Sequence, residues 1–372
     1  MRLDRLAERV AYKLIHDACH LRTGDCILFF GRRDQLDFLL QLEFQALAAG
    51  ARALISIEDD ERLRQILRRA TPRGAANERL SILPVARETT HVMSLTGFPP
   101  NLSDLSPEAI QSWKEANGAL QEALHLHLRA WIGVSLLSRL QTQRLRQPWR
   151  PYKEAIWQAL DSDYPLMEQR GRQLHMALSD APLLRLSDPR GAELTLRLAA
   201  DAPRHRDDGV LSPEDVAEAG GRVSLMLPAG EFRVAVAEGS AEGEAIIDAG
   251  WRQGRPLRHL RLRFQQGRVV GIAGAGAPEA EATLATDEGA RLLGKLSIGF
   301  NPAVTTLNPY PLGPEASLLA YRRAGAVFLT LGDNRAYGGS NRSALEWNLG
   351  LARPTLEVAG QTLLRDGAFL DL

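Results

Sequence analysis

Cysteine and lysine are the scarce residues of this 372-residue chain. Its two cysteines, Cys19 and Cys26, are too few for a disulfide framework and lack the CxxC or CxxH spacing of a metal or redox motif. A reducing, cytoplasmic setting is therefore expected. Lysine occurs four times, at 13, 114, 153 and 295, against forty-one arginines, a bias that speaks of a GC-rich genome more than of a function. Net charge is absent as well. Forty-five basic residues balance forty-five acidic ones, so no general attraction to nucleic acid or anionic lipid exists and any partner must be recognised locally. No stretch approaches the roughly 18 uninterrupted apolar residues of a membrane span. The N-terminal MRLDRLAERV is charged throughout, so no signal peptide is expected either. None of the eight histidines lies beyond His259.

What is present is an ordinary globular composition, 45% hydrophobic and 24% charged, in about two domains' length of chain. From Leu3 to His20 the residues Leu6, Val10, Leu14 and Ile15 recur at helical spacing, and Gly24-Asp25 then breaks the pattern before the apolar run Cys26 to Phe30. Helix, turn and buried strand follow. Asp34 to Ala49 is again helix-periodic, Ala51 to Ile57 is a second apolar strand, and Glu61 to Arg69 is another helix. Strands alternating with helices of this length predict βαβ units and a parallel sheet. Ala130 to Leu137 reads as a further strand and Pro151 to Met176 as predominantly helical, which closes an N-terminal α/β domain near residue 180. Beyond it, short alternating segments such as Ala192–Leu198, Val223–Leu227, Leu257–Phe264 and Arg268–Ile272 predict antiparallel strands. A helix over Ala285–Leu296 interrupts them, Ala273–Glu281 is Gly/Ala-rich but too short for a linker, and a strand pair is expected around Thr355 to Ala368. Residues 181–372 are thus a mixed α+β domain.

Most local signals are structural. Gly31 to Asp34 follows a strand and opens a helix but lacks the GxGxxG spacing of a phosphate-binding turn, so it reads as a plain βα connection. His16 and His20 stand four apart, on one helix face, yet the residues between them contain no glutamate to act as a metalloprotease base. The two cysteines read as small buried hydrophobes. The richest stretch runs from Leu331 to Asn348, where Asp333, Asn334, Tyr337 and Asn341 punctuate a turn-rich, site-forming loop. Leu227 to Phe232 is a second strand-turn with the Glu231 carboxylate at its tip.

Taken in order, several segments resemble the M29 metallo-aminopeptidases, the thermophilic leucyl aminopeptidases whose fold is shared by 2,5-dihydroxypyridine dioxygenases. They are DPRGAELT at 188–195 for the family's GTDLT, PAGE at 228–231 for PxGE, and DEGARLLGK at 287–295 for EGARxLGE. GAVFLTLG at 325–332 and NRSALEWN at 341–348 follow, for GTVHxALG and NxSxxHxD. The resemblance implies the fold of that family, an N-terminal α/β domain and a C-terminal domain carrying the cleft, and a homodimer. It also implies a two-metal site built from five ligands, of which only Glu231 survives. The other four positions are Lys295, Phe328, Glu346 and Asn348. The two-His-one-carboxylate iron site of the dioxygenases falls on Phe328, Glu346 and Asn348 and is lost too.

The chemistry of these replacements agrees. Lysine is a protonated donor that repels a cation, phenylalanine has no lone pair, and a neutral Asn amide is a poor ligand for a divalent ion. No metal and no cofactor are expected. The two carboxylates, Glu231 and Glu346, are expected to pair with Lys295, whose ammonium takes over the positive charge of the metal. The leading expectation is a non-catalytic pseudo-peptidase that still binds a peptide or protein segment, as in presenting a ribosomal precursor peptide to natural-product modifying enzymes. The alternative is an enzyme of altered chemistry, metal-free around Lys295, Glu346 and Tyr337, or using one weakly held metal through Glu231, Glu346 and Asp333.

Overall fold

The apolar run Cys26–Gly31 is buried at every position and pairs in parallel on both sides, with Arg52–Ile57 and with His91–Ser94. It belongs to a computed structural model that describes residues 3–95, 105–144, 148–180, 183–252, 255–257, 259–305 and 317–370. The chain divides into two units, residues 1–149 with 209–228, and residues 150–208 with 229–372.

In the first unit the sheet order is Arg52–Ile57, Cys26–Gly31, His91–Ser94, Ala130–Val134 and Val223–Leu227, all parallel. Parallel strands need crossover connections, and helices supply them. Helix Leu36–Ala48 turns Phe38, Leu39, Leu42 and Ala46 inward. Helix Pro107–Leu124, capped where Ser106 Oγ accepts the Ala109 N–H, buries Leu120, Ala123 and Leu124 with Leu28, Phe30 and Val92. Four expectations change here. Val223–Leu227 is a parallel strand of this sheet rather than an antiparallel one, because its pairing partner is Ala130–Val134. The expected boundary at 180 gives way to one at 149 with a return of the chain at 209–228, since that strand completes the sheet's edge. The strand expected over Ala130 to Leu137 ends at Val134. His16 and His20 do not share a helix face: Lys13–Ala18 is a π-helical turn, and His20 lies past it at φ +48°. His16 instead stacks on Tyr12 and hydrogen-bonds Gln45 at 3.2 Å.

The cysteines are buried, and burial pushes the Cys19 thiol up to about 12. The Gly31 to Asp34 turn is a plain connection whose Gln35 amide ties down Leu95 O and Leu136 O.

The second unit holds two antiparallel sheets. One has eight strands in the order Arg268–Ala273, Leu260–Gln265, Glu242–Ile247, Ala192–Arg197, Leu183–Asp188, Thr355–Val358, Gln361–Arg365 and Ala368–Phe369. The other has seven, in the order Arg255–Leu257, Ala249–Arg252, Glu346–Leu351, Val327–Gly332, Leu293–Gly299, Glu231–Ala235 and His205–Asp207. The helix expected over Ala285–Leu296 is not formed. A short 3-10 turn covers Glu288–Arg291, and Leu293–Gly299 is a central strand buried at every position, in which Lys295 and Ser297 alternate with Leu296 and Ile298 at the period of a strand. The Gly/Ala-rich stretch expected over Ala273–Glu281 ends one strand and opens helix Ala277–Leu284.

The seven-stranded sheet has one apolar and one polar face, as alternation along each strand dictates. On the apolar face Phe232, Val234, Leu296, Ile298, Leu329 and Leu349 are completely buried. Helix Tyr164–Leu178 lies against it, with the His175 ring edge-on to Phe232.

Candidate functional site

The register of five neighbouring strands places ten side chains on the opposite, polar face. Glu346 and Asn348 lie on one strand and Phe328 and Thr330 on the next, with Thr330 opposite Asn348. Lys295 and Ser297 follow on the third strand, then Glu231 and Arg233, then His205 and Asp207. Lys295 reaches this face through a β-bulge. Leu293 pairs with Leu331 on the apolar side, and the extra residue Gly294 turns the chain so that Lys295 pairs with Thr330 on the polar side. A Cβ at position 294 would sit 2.7 Å from Gly332 O and 3.0 Å from Asn334 Cβ, so the bulge requires glycine.

Lys295 is 3% exposed, and its Nζ donates to Glu346 Oε1 at 3.0 Å. The same ammonium stands 4.2 Å from the centre of the Tyr337 ring, a cation–π contact. Glu346 therefore carries the expected ion pair. The Glu231 carboxylate, on a residue only 6% exposed, makes no hydrogen bond among the described residues, which corrects the expectation that both carboxylates pair with Lys295.

Tyr337 touches four groups of this face. Its ring covers Lys295 and meets the edge of His205 at 5.8 Å between centroids, and its hydroxyl hydrogen-bonds the Arg233 side chain and lies 3.5 Å from Glu346 Oε1. Phe328 is completely buried, edge-on to Tyr321 at 4.7 Å, and the absence of a side chain at Gly350 makes room for its ring. Asn348 is held by its neighbours: its Oδ1 accepts from Thr330 Oγ1 at 2.6 Å, and the amide also hydrogen-bonds Tyr321.

Three residues expected to bind ligand lie elsewhere in the loop. Asn334 Nδ2 donates to Gly294 O, and Asn341 Nδ2 donates to Gly289 O and Gly332 O, so both amides hold the chain in place. Asp333 pairs with Arg335 and does not approach Glu231 or Glu346 as a third carboxylate, and that guanidinium holds its carboxyl below the usual range.

Sequence reading missed the far side of the face: His205, Asp207, Arg233, Ser297 and Arg322. The available signal was alternation, since Glu231 and Arg233, like Lys295 and Ser297, are two apart on a strand and must share a side. Burial pushes the Asp207 carboxyl up to about 6, opposed by Arg322 and Arg233 and assisted by Glu231 and Asp208. Burial, Arg233 and Lys295 lower His205, so its imidazole is neutral at pH 7. Burial opposes protonation of Arg233, but Glu231, Asp207 and Tyr337 outweigh it and raise the guanidinium. Burial and the nearby Glu231 raise the Tyr321 hydroxyl to about 12.

No protein-family model matches the chain, and no curated protein does. Solved structures do. Wild-type AmpT from Thermus thermophilus superposes with a TM-score of 0.58 at 21% identity, over 100% of both chains. The 2,5-dihydroxypyridine dioxygenase of Pseudomonas putida KT2440 superposes with a TM-score of 0.62 at 14% identity, over 100% of this chain and 98% of that one. At these identities the likeness is one of fold. The chain has the expected M29 aminopeptidase-like fold, a parallel sheet with helices followed by an antiparallel region.

The metal centre implied by the sequence resemblance does not fit these residues. A buried ammonium occupies the middle of the face, Phe328 offers no donor, and the Asn348 oxygen is taken by Thr330. Among the described residues no three His, Cys, Asp or Glu side chains are grouped to hold an ion. No described helix is long and apolar enough to cross a membrane.

Proposed function

We propose that the polar face of the seven-stranded sheet binds a peptide terminus without a metal ion and without catalysing its hydrolysis, as a pseudo-peptidase. One observation carries this reading: Lys295 is neutralised by Glu346, while Glu231 keeps a buried carboxylate with no hydrogen-bond donor among the described residues. Arg233 lends this carboxylate a nearby positive charge but no hydrogen bond among the described residues, and a peptide's terminal ammonium supplies both charge and donor. Glu231 receives the amine, and the cationic side of the face receives carbonyl or carboxylate oxygen. Lys295 supplies positive charge fixed to the backbone, so the site is the same in the presence or absence of added divalent ions.

Calorimetric titration with peptides bearing a free or an acetylated N-terminus tests this. The free amine binds, acetylation weakens binding about tenfold or more, and Glu231→Gln removes that difference, as expected for a hydrogen bond to a charged group. Elemental analysis after supplementation with zinc, cobalt and iron is expected to find no stoichiometric ion. Peptide hydrolysis dependent on a bound ion would overturn the reading.

A further inference from the structure

Three polar atoms of this face are buried and have no hydrogen-bond partner among the described residues: Ser297 Oγ, Arg233 Nε and His205 Nε2. They do not lie at scattered positions. Ser297 pairs with Arg233 across one strand boundary, and Arg233 pairs with His205 across the next, so the three residues form a single cross-strand row. Ser297 is 1% exposed, and a hydroxyl so deep without a partner costs stability that a bound acceptor would recover. Glu231, whose carboxylate accepts no hydrogen bond among the described residues, lies on the same strand two residues from Arg233, whose charge it feels, and on the same face.

We propose that this row holds the carboxylate of the ligand whose amine sits on Glu231, so that the face recognises a short zwitterionic peptide, a dipeptide, by both of its ends. The proposal rests on the amine-binding reading of Glu231 given above. Two features favour a carboxylate over a peptide carbonyl. The row sets a guanidinium N–H between a hydroxyl and an imidazole nitrogen on adjacent strands, and a carboxylate offers about four acceptor positions where a carbonyl offers two. Guanidinium also matches carboxylate geometry better than other cations do. The length follows from strand spacing. Positions two apart on a strand are separated by about 7 Å, which is also the extended span of about two residues of a ligand. Tyr337 covers the face over Lys295, His205 and Arg233, so the ligand reaches the row when that ring turns aside on the Arg335–Tyr337 turn. Gly338, which ends the turn at φ +82°, supplies a backbone conformation that few other residues adopt.

The test is calorimetric titration of the full chain with dipeptides pairing glycine with alanine, leucine, phenylalanine, lysine or glutamate. Each is compared with its C-terminal amide and with its N-acetyl derivative. The free dipeptide is expected to bind, and amidation to weaken binding about tenfold or more. Ser297→Ala is expected to weaken the free acid similarly while leaving the amide unchanged. Because it removes an unsatisfied hydroxyl, this variant is expected to unfold in urea no earlier than wild type, which keeps folding out of the comparison. Arg233→Lys, which keeps the charge but loses the Nε donor, gives a second reading of the same contact. Amides that bind within twofold of the acids overturn the carboxylate row, and acetylation that still weakens binding then leaves the Glu231 reading intact. Acids favoured over amides with no effect of acetylation support the row and overturn the amine site. Failure of every dipeptide to bind at millimolar concentration overturns both.

Discussion

Lys295 shows how one residue sets the chemistry of a sheet face. It brings a fixed cation to the middle of the face, and its two contacts, Glu346 and the Tyr337 ring, are the contacts an ammonium makes. The Glu346 side chain keeps 44% of its surface in solvent, so the pair is partly screened and contributes little to stability. Asp207 behaves differently because it is largely enclosed. Its carboxyl is raised to about 6 by burial, above its unfolded value of 3.8, so the folded chain holds the proton more tightly. That contribution is fully present below the unfolded value and is lost as pH rises through the folded one. The stability of wild type relative to Asp207→Asn should therefore fall between about pH 4 and pH 6, by on the order of 3 kcal/mol. Urea midpoints of both proteins across that range measure it, and a flat or rising difference would show that Arg322 and Arg233 already ionise the group.

Strand Leu293–Gly299 carries the site because of a single extra residue. Without the bulge at Gly294, Leu293 and Lys295 would share one face, so that either Leu293 would intrude on the polar row or Lys295 would be turned into the apolar layer. Gly294→Ala places a Cβ against Gly332 O and Asn334 Cβ, and the chain must shift to admit it. The expected cost is about 1–3 kcal/mol in urea unfolding, together with loss of peptide binding from a displaced Lys295. A variant as stable as wild type that still binds would remove the bulge from the argument. This strand was also where sequence reading failed. The helix expected over Ala285–Leu296 ran into it because Leu292, Leu293 and Leu296 also fit a helical spacing, and the alternation of Lys295 and Ser297 with Leu296 and Ile298 is too short to outweigh it. By contrast, Cys26–Gly31 and Leu36–Ala48 were legible, since an apolar run and a helical spacing were bounded by Gly24 and Gly50.

For the molecule as a whole, the two units are not two consecutive stretches of chain. Val223–Leu227 pairs with Ala130–Val134 and buries Leu225 and Leu227, although residues 150–208 of the other unit lie between them in sequence. A fragment ending at residue 180 would leave the edge of Ala130–Val134 open and would carry the helices at Trp149–Leu160 and Tyr164–Leu178 without the sheets they belong with. Such a fragment is expected to lack a cooperative urea transition and a dispersed amide spectrum, where the full chain shows both. A cooperative fragment would mean that the 223–227 strand is dispensable.

Composition, apolar runs and motif order specify the fold class and which residues stand at the five positions that the resemblance assigns to metal ligands, because those depend on residue type and local spacing. Which strands are neighbours is a different matter. The row of Ser297, Arg233 and His205 draws its members from three strands more than sixty residues apart at the extremes, and only hydrogen-bonded register brings them side by side. Register also decides that Glu346 rather than Glu231 meets Lys295, since long-range pairing and burial are properties of the assembled sheet and leave no periodic trace along the chain.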